Sequence, residues 1–88
     1  MRFQIYLNAF CPYCTMAREL LERLGYEYDA IRIDLEAHER RIMEERAGRT
    51  SVPQIFLGEI HIGGYDDLAA LQRSGRLTEL VEQAREKE

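Results

Sequence analysis

The apolar residues of the first thirty-five positions change their spacing twice, and this limits the fold more tightly than any other feature of the chain. Phe3, Ile5 and Leu7 alternate with Arg2, Gln4 and Tyr6, the two-residue repeat of a strand. From Tyr13 the repeat becomes helical. Met16, Ala17, Leu20, Leu21 and Leu24 fall on one face, Arg18, Glu19, Glu22 and Arg23 on the other, and Gly25 is a natural stop. Alternation returns between Tyr28 and Leu35 through Ile31, Ile33 and Leu35. Strand, helix and strand in this order make a βαβ unit, whose strands run parallel and whose crossover is right-handed.

The second half reads as a helix, a hairpin and a closing pair of helices. A charge-rich helix over about Glu36 to Ala47 is closed by Gly48 and turns Met43 and Ala47 inward. Pro53 to Leu57 is a strand, Gly58-Glu59 a tight turn, and Ile60 to Ile62 the hairpin partner, with His61 pointing outward between its isoleucines. Gly63-Gly64 ends the hairpin, and Asp66 or Asp67 caps a helix that runs through Leu68 and Leu71. Gly75 separates it from a last helix carrying Leu77, Leu80, Val81 and Ala84, and the tail Arg85 to Glu88 is expected to fray.

Composition removes several classes of function. With 88 residues the chain is expected to form one α/β domain spanning 1–88, burying roughly 60–65% of its unfolded surface. A net charge of −4 argues against nucleic acid or an anionic membrane as partner. The only basic clusters, Arg40-Arg41 and Arg46 to Arg49, are interrupted by Glu44 and Glu45 and read as a solvated helix face. No stretch is long and apolar enough to span a bilayer. Gln4 and Asn8 break the early apolar run, so no secretory leader is expected and the protein is placed in the cytoplasm.

Two cysteines three residues apart cannot staple a small secreted domain, which points to a reducing compartment. Cys11-Pro12-Tyr13-Cys14 sits where the first strand turns into the first helix. A helix starting at Cys11 aims its unpaired N–H groups and the positive end of its dipole at the first sulfur, which favours the nucleophilic thiolate. Pro12 suits the first helical position because its missing N–H would have had no partner there. Cys14 then follows one turn later, facing Cys11. The competing accounts are a buried pair or half of a metal site; a Cys2His2 zinc site would require both His38 and His61 to converge on the sulfurs, and no metal is expected.

The order β-α-β-α-β-β-α, with a dithiol at the first strand-to-helix turn, resembles the thioredoxin fold. Cys11-Pro12-Tyr13-Cys14, Ser51-Val52-Pro53 and Gly63-Gly64-Tyr65-Asp66-Asp67 are together similar to the three signature segments of the dithiol glutaredoxins, in that family's order and spacing. The resemblance covers nearly the whole chain and implies a four-stranded mixed sheet flanked by helices. It also implies a glutathione-dependent oxidoreductase that reduces glutathione mixed disulfides and protein disulfides, acting as a monomer. Cys11 then matches the nucleophile and Cys14 the resolving thiol. Pro53 matches a cis-proline that holds the backbone of Val52 open, next to Ser51, for the cysteinyl part of glutathione. Tyr13 flanks the ligand. Gly64, the amides of Tyr65 and Asp66, and the carboxylates of Asp66 or Asp67 receive the γ-glutamyl end, and Arg40 meets the glycyl carboxylate.

Two departures accompany the resemblance. Asn8 stands where the family usually has a lysine three residues before the nucleophile, which removes a cation near the thiolate, and Ser51 stands where threonine is commoner. Two other readings use the same motif: a glutaredoxin-like electron donor recharged by thioredoxin reductase, and a protein holding an iron–sulfur cluster between two copies with glutathione. The first would not need the glutathione-end residues, which are present, and the second is disfavoured by the stiffness of Pro12.

Overall fold

In a computed structural model, which describes residues 2–87, the chain runs β1 (Phe3–Leu7), α1 (Pro12–Arg23), β2 (Tyr28–Arg32), α2 (Ala37–Ala47), β3 (Gln54–Leu57), β4 (Ile60–Gly63), α3 (Tyr65–Ser74) and α4 (Arg76–Glu86). The four strands form one mixed sheet in the order β2-β1-β3-β4. β1 runs parallel to β2 and antiparallel to β3, which forms the antiparallel hairpin with β4. This is the α/β arrangement that the resemblance to the thioredoxin fold implies, with β1 and β2 parallel as the period changes predict.

Both faces of the sheet are covered, by α1, α3 and α4 on one side and by α2 on the other. Phe3, Ile5 and Leu7 face one side, where they meet Cys14, Ala17, Leu20 and Leu21 of α1 and Leu68, Leu77 and Val81 of α3 and α4. The sheet's other face carries a smaller cluster of Tyr6, Ile33, Met43 and Phe56 under α2. Tyr6 therefore does not alternate outward to water; it is buried, edge-on to Phe56. Arg46 also leaves the solvated face expected for it. Its guanidinium lies 4.0 Å from the Phe56 ring centroid and donates to Gln4 Oε1, Tyr6 Oη and the Gly58 carbonyl, sealing the edge of this second cluster.

Several boundaries and burials differ from the periodic reading. The buried stripe of α1 is Cys14, Ala17, Leu20 and Leu21. Met16 and Leu24 stay partly exposed, Leu24 because the helix ends there and it serves as the C-cap. β2 stops at Arg32, so Leu35 lies in the following turn and is 69% exposed. Arg85 and Glu86 belong to α4 rather than to a frayed tail, while Glu88 lies outside the described residues. None of the described helices is long and apolar enough to cross a membrane.

The start of α3 is also built differently from the expectation. Gly64, not an aspartate, is the N-cap, and Asp67 reaches back from the third helical position to accept the Gly64 N–H at 2.9 Å. Gly63 makes room for this. Its φ of +115° suits glycine alone, and a Cβ there would meet Asp67 Oδ2 at 2.3 Å. A methyl group added at Gly48, where φ is +67°, would have nothing within 4 Å. Urea titration should therefore separate the two. Gly48→Ala is expected to cost about 1 kcal/mol, for the left-handed backbone alone. Gly63→Ala is expected to cost about 2–3 kcal/mol, because it adds displacement of the capping carboxylate to the strain. Equal costs would mean that Asp67 is not held where the structure puts it.

Candidate active site

β1 ends at Leu7, and the residues after it carry the chain to the start of α1. The Ala9 N–H donates to Asp34 Oδ2 at 3.2 Å and fastens this loop to the turn after β2. Arg32 grips the same carboxyl through two 2.7 Å contacts, which holds it down to about 2 and keeps it an acceptor. Cys11 then becomes the N-cap of α1, with extended backbone and Pro12 following as the first helical residue. Its Sγ accepts the Cys14 N–H at 3.2 Å and stands 3.9 Å from the carbonyl oxygen of Val52. An amide aimed at this sulfur stabilises the negative charge it carries during exchange.

The second sulfur sits in a different environment. Cys14 is 3% exposed and packs within the core stripe of α1. Its thiol is pushed up to about 12, by burial first and then by its hydrogen bond with Cys11. The Asn8 backbone and Arg18 act in the opposite direction with less effect. Asn8 places a neutral amide, its Oδ1 buried and unpartnered, where the resemblance would have placed a lysine.

Across from Cys11 the segment Ser51-Val52-Pro53 leads into β3, with the Val52–Pro53 peptide bond cis. Together with the start of α3 and the ring of Tyr13 it walls a cleft of about 270 Å³. Tyr13 and Tyr65 approach with ring centroids 6.3 Å apart and form one end of that cleft. Ser51, Val52, Pro53, Gly64, Asp66 and Asp67 line the rest, so the structure brings together every ligand-contacting residue expected from the sequence except one.

The exception is Arg40. It lies on the exposed side of α2, 3.7 Å from Glu44 one turn along, and does not reach the cleft. The cation that lines the cleft is Arg49, which bridges to Asp67 Oδ2 at 3.1 Å. Asp67 is held below the usual carboxylate range by the Gly64 N–H first and by Arg49 after it. In the sequence Arg49 is hidden as the end of an interrupted basic run. The signal that marks it is its place just after Gly48, which ends α2, on the short loop into Ser51. Among the described residues no three His, Cys, Asp or Glu side chains converge as a metal site.

An N-cap cysteine whose sulfur stands 3.9 Å from the cleft wall, with a buried partner thiol one turn on, is the arrangement of a thiol–disulfide oxidoreductase of thioredoxin-like fold. Comparison with known proteins narrows the class. The family model described as Glutaredoxin matches residues 3–62. A Pseudomonas aeruginosa glutaredoxin is 47% identical over 88% of this chain and 92% of its own length. Glutaredoxin 3 of Escherichia coli K12 is 46% identical over 89% of this chain and 94% of its own. Among solved structures, a Brucella melitensis glutaredoxin superposes with a TM-score of 0.79 at 44% identity, covering 91% of this chain and 87% of that one. A buckwheat glutaredoxin–glutathione complex does so with a TM-score of 0.84 at 27% identity, covering 93% and 77%. The chain belongs to the glutaredoxin family, and its activity is thiol–disulfide exchange.

The unequal sulfurs set an order of reactivity. At pH 8, brief treatment of the reduced protein with iodoacetamide should label Cys11 alone, read by peptide mass spectrometry. In Cys11→Ser, which removes one cause of the raised value but not the burial, Cys14 should still react at least about tenfold more slowly than a free cysteine, roughly as its smaller thiolate fraction requires. Comparable labelling of both sulfurs in the wild type would contradict this assignment.

Proposed function

We propose that the protein reduces glutathione mixed disulfides through Cys11, with glutathione lying in the cleft between Tyr13, Val52 and the start of α3. The observation that carries this reading is the cleft itself. Its wall at Val52 presents a carbonyl 3.9 Å from Cys11 Sγ on backbone left outside the sheet ladder, and its lining adds the cation of Arg49 and the N-terminus of α3. The cysteinyl part of the tripeptide would pair with the Val52 backbone in the manner of an added strand. Its γ-glutamyl carboxylate would take the free amides of Tyr65 and Asp66, and its ammonium the carboxylates of Asp66 and Asp67. Arg49, which lines the cleft beside Asp67, would meet a carboxylate of the tripeptide. The glutathione complex of the buckwheat relative supports the same ligand class.

The chemistry follows from the two sulfurs. Cys11 thiolate attacks the glutathione sulfur of a mixed disulfide; that S–S bond breaks, Cys11 becomes glutathionylated, and the target protein leaves as a thiolate that takes a proton. A second glutathione thiolate attacks the Cys11-bound glutathione, giving oxidised glutathione and restoring the Cys11 thiolate. With a protein disulfide, Cys14 loses its proton, attacks the Cys11 sulfur of the intermediate, and leaves a Cys11–Cys14 disulfide for two glutathiones to reduce. The buried, protonated Cys14 slows this second route and leaves the first open. Glutaredoxins as a class have potentials of about −200 to −230 mV, near the cytosolic glutathione poise of about −220 to −260 mV, so exchange runs in either direction. The protein substrates are glutathionylated or disulfide-bonded proteins of a reducing compartment such as the cytoplasm, met by a monomer.

Two sets of variants test the reading. Cys11→Ser should abolish all turnover, whereas Cys14→Ser should keep reduction of a small glutathione mixed disulfide and lose the dithiol route to protein disulfides. A Cys14→Ser protein as inactive as Cys11→Ser on that small substrate would contradict the mechanism. Arg49→Ala and Asp67→Asn should each raise the KM for glutathione about fivefold, the scale of one half-exposed charged contact, with kcat little changed. Asp67→Asn keeps an oxygen for the Gly64 N–H, so the fold is not at issue. Arg40→Ala should leave the KM where it is, and reduction by dithiothreitol should be unchanged in all three variants.

A further inference from the structure

Gln54 is the one buried polar side chain within the described core, at 0% exposure. Its Nε2 donates to the Ser51 carbonyl at 3.1 Å and reaches Ser51 Oγ at 3.4 Å. Its Oε1 meets His61 Nε2 at 2.7 Å. A carbonyl oxygen only accepts, so the His61 nitrogen must be the donor. Burial lowers the pKa of His61, with Arg49 and Arg46 adding to that effect and Asp67 opposing it, so the neutral ring is held as the Nε2–H tautomer. The ring is stacked on Phe56 at 4.8 Å between centroids, 24° from parallel. Rather than pointing out to water from β4, His61 is half-buried on the α2 side of the sheet and aimed at the amide beneath the cleft loop.

Neither Gln54 nor His61 lines the cleft. What they hold does. The pairing of β3 with β1 begins at Gln54, opposite Tyr6, so Ser51 and Val52 lie beyond the ladder and are not fixed by it. The Gln54 amide fastens Ser51 directly, and the next residue presents the carbonyl that stands 3.9 Å from Cys11 Sγ. A backbone edge that receives an extended ligand binds best when it is already in place, because the ordering cost then falls on the free protein.

We propose that His61 is a positioning residue for the ligand: through the buried amide of Gln54 it fixes Ser51, and with it the backbone edge of Val52 that receives glutathione. The proposal rests on the glutathione reading of the cleft. It differs from a packing role, because the ring's contact with Phe56 and its hydrogen bond to Gln54 can be removed separately.

His61→Phe keeps an aromatic ring against Phe56 and removes the donor. His61→Gln removes the ring and keeps an N–H able to reach Gln54 Oε1. With a small glutathione mixed disulfide as substrate, His61→Phe should raise KM about fivefold, the loss of one neutral hydrogen bond, at nearly unchanged kcat. Its Cys11 should react with 2,2′-dithiodipyridine, which needs no cleft, at the wild-type rate. His61→Gln should restore the KM to within about twofold of wild type. Gln54→Leu should raise KM as well, and adding His61→Phe to it should raise it no further, as for two links of one chain. Thermal melts establish that each variant is folded, and if Gln54→Leu is not, the two His61 variants decide.

A wild-type KM in His61→Phe would overturn the proposal, as would equal increases in His61→Phe and His61→Gln, which would assign the effect to the ring. A matching loss of the dithiodipyridine rate would also overturn it, by assigning the effect to the thiol. A wild-type protein that does not saturate with the glutathione substrate would instead overturn the reading of the cleft itself.

Discussion

The backbone N–H of Cys14 points at the sulfur of Cys11, and the other parts of the site are arranged around that contact. It exists because Cys11 is an N-cap. The amides of a first helical turn have no partner within the helix, and an N-cap side chain is the group placed to accept one of them. Pro12 contributes by starting the helix without adding a further unpaired donor. The loop between β1 and the cap is fastened to the turn after β2 by Asp34. Opposite them, Val52 brings its carbonyl within 3.9 Å of the same sulfur. One sulfur is thereby placed between a donor from its own helix and a backbone edge from the far side of the cleft.

Helical spacing makes the two thiols unequal. A residue three positions along α1 falls on the stripe that faces the sheet, so Cys14 is buried with Ala17, Leu20 and Leu21 while Cys11 is only partly buried. Burial and the neighbouring sulfur then hold the Cys14 proton, with the value pushed up to about 12. The geometry of one short motif thus separates an attacking sulfur from a reserve sulfur. Core packing performs that separation. The hydrophobic stripe that docks α1 on β1 is the same surface that shields Cys14.

Much of this is legible in the sequence because each element near the dithiol keeps one period of its own, two-residue in the strands and helical in α1. β1, α1 and β2 follow directly from Phe3 to Ile33, and the hairpin follows from Gly58. The cleft-lining segments were legible because they are contiguous: Ser51-Val52-Pro53 enters β3 and Gly63 to Asp67 enters α3. What periodicity does not carry is which side chain crosses a gap. Arg40 and Arg49 both belong to the charged stretch around α2, and only the path of the loop after Gly48 brings Arg49 to Asp67. The same holds for Tyr6, Arg46 and His61. Each falls where a solvent-facing residue would, yet the sheet has a second covered face, and α2 turns that apparent solvent side into a small core. Gln54 is the extreme case, a polar residue at zero exposure whose reason lies in its partners, Ser51 and His61.

Everything proposed for the cleft depends on Cys11 carrying glutathione with the tripeptide lying along Val52. The most direct measurement is the structure of Cys14→Ser trapped as its glutathione mixed disulfide, by crystallography or by intermolecular NMR contacts. The expected result is an S–S bond at Cys11 and backbone hydrogen bonds between the cysteinyl residue and Val52. The γ-glutamyl end is expected at the amides of Tyr65 and Asp66, with a carboxylate of the tripeptide at Arg49. A tripeptide attached at Cys11 but extending into solvent, or lying on the Phe10 and Asp34 side of the sulfur, would contradict it.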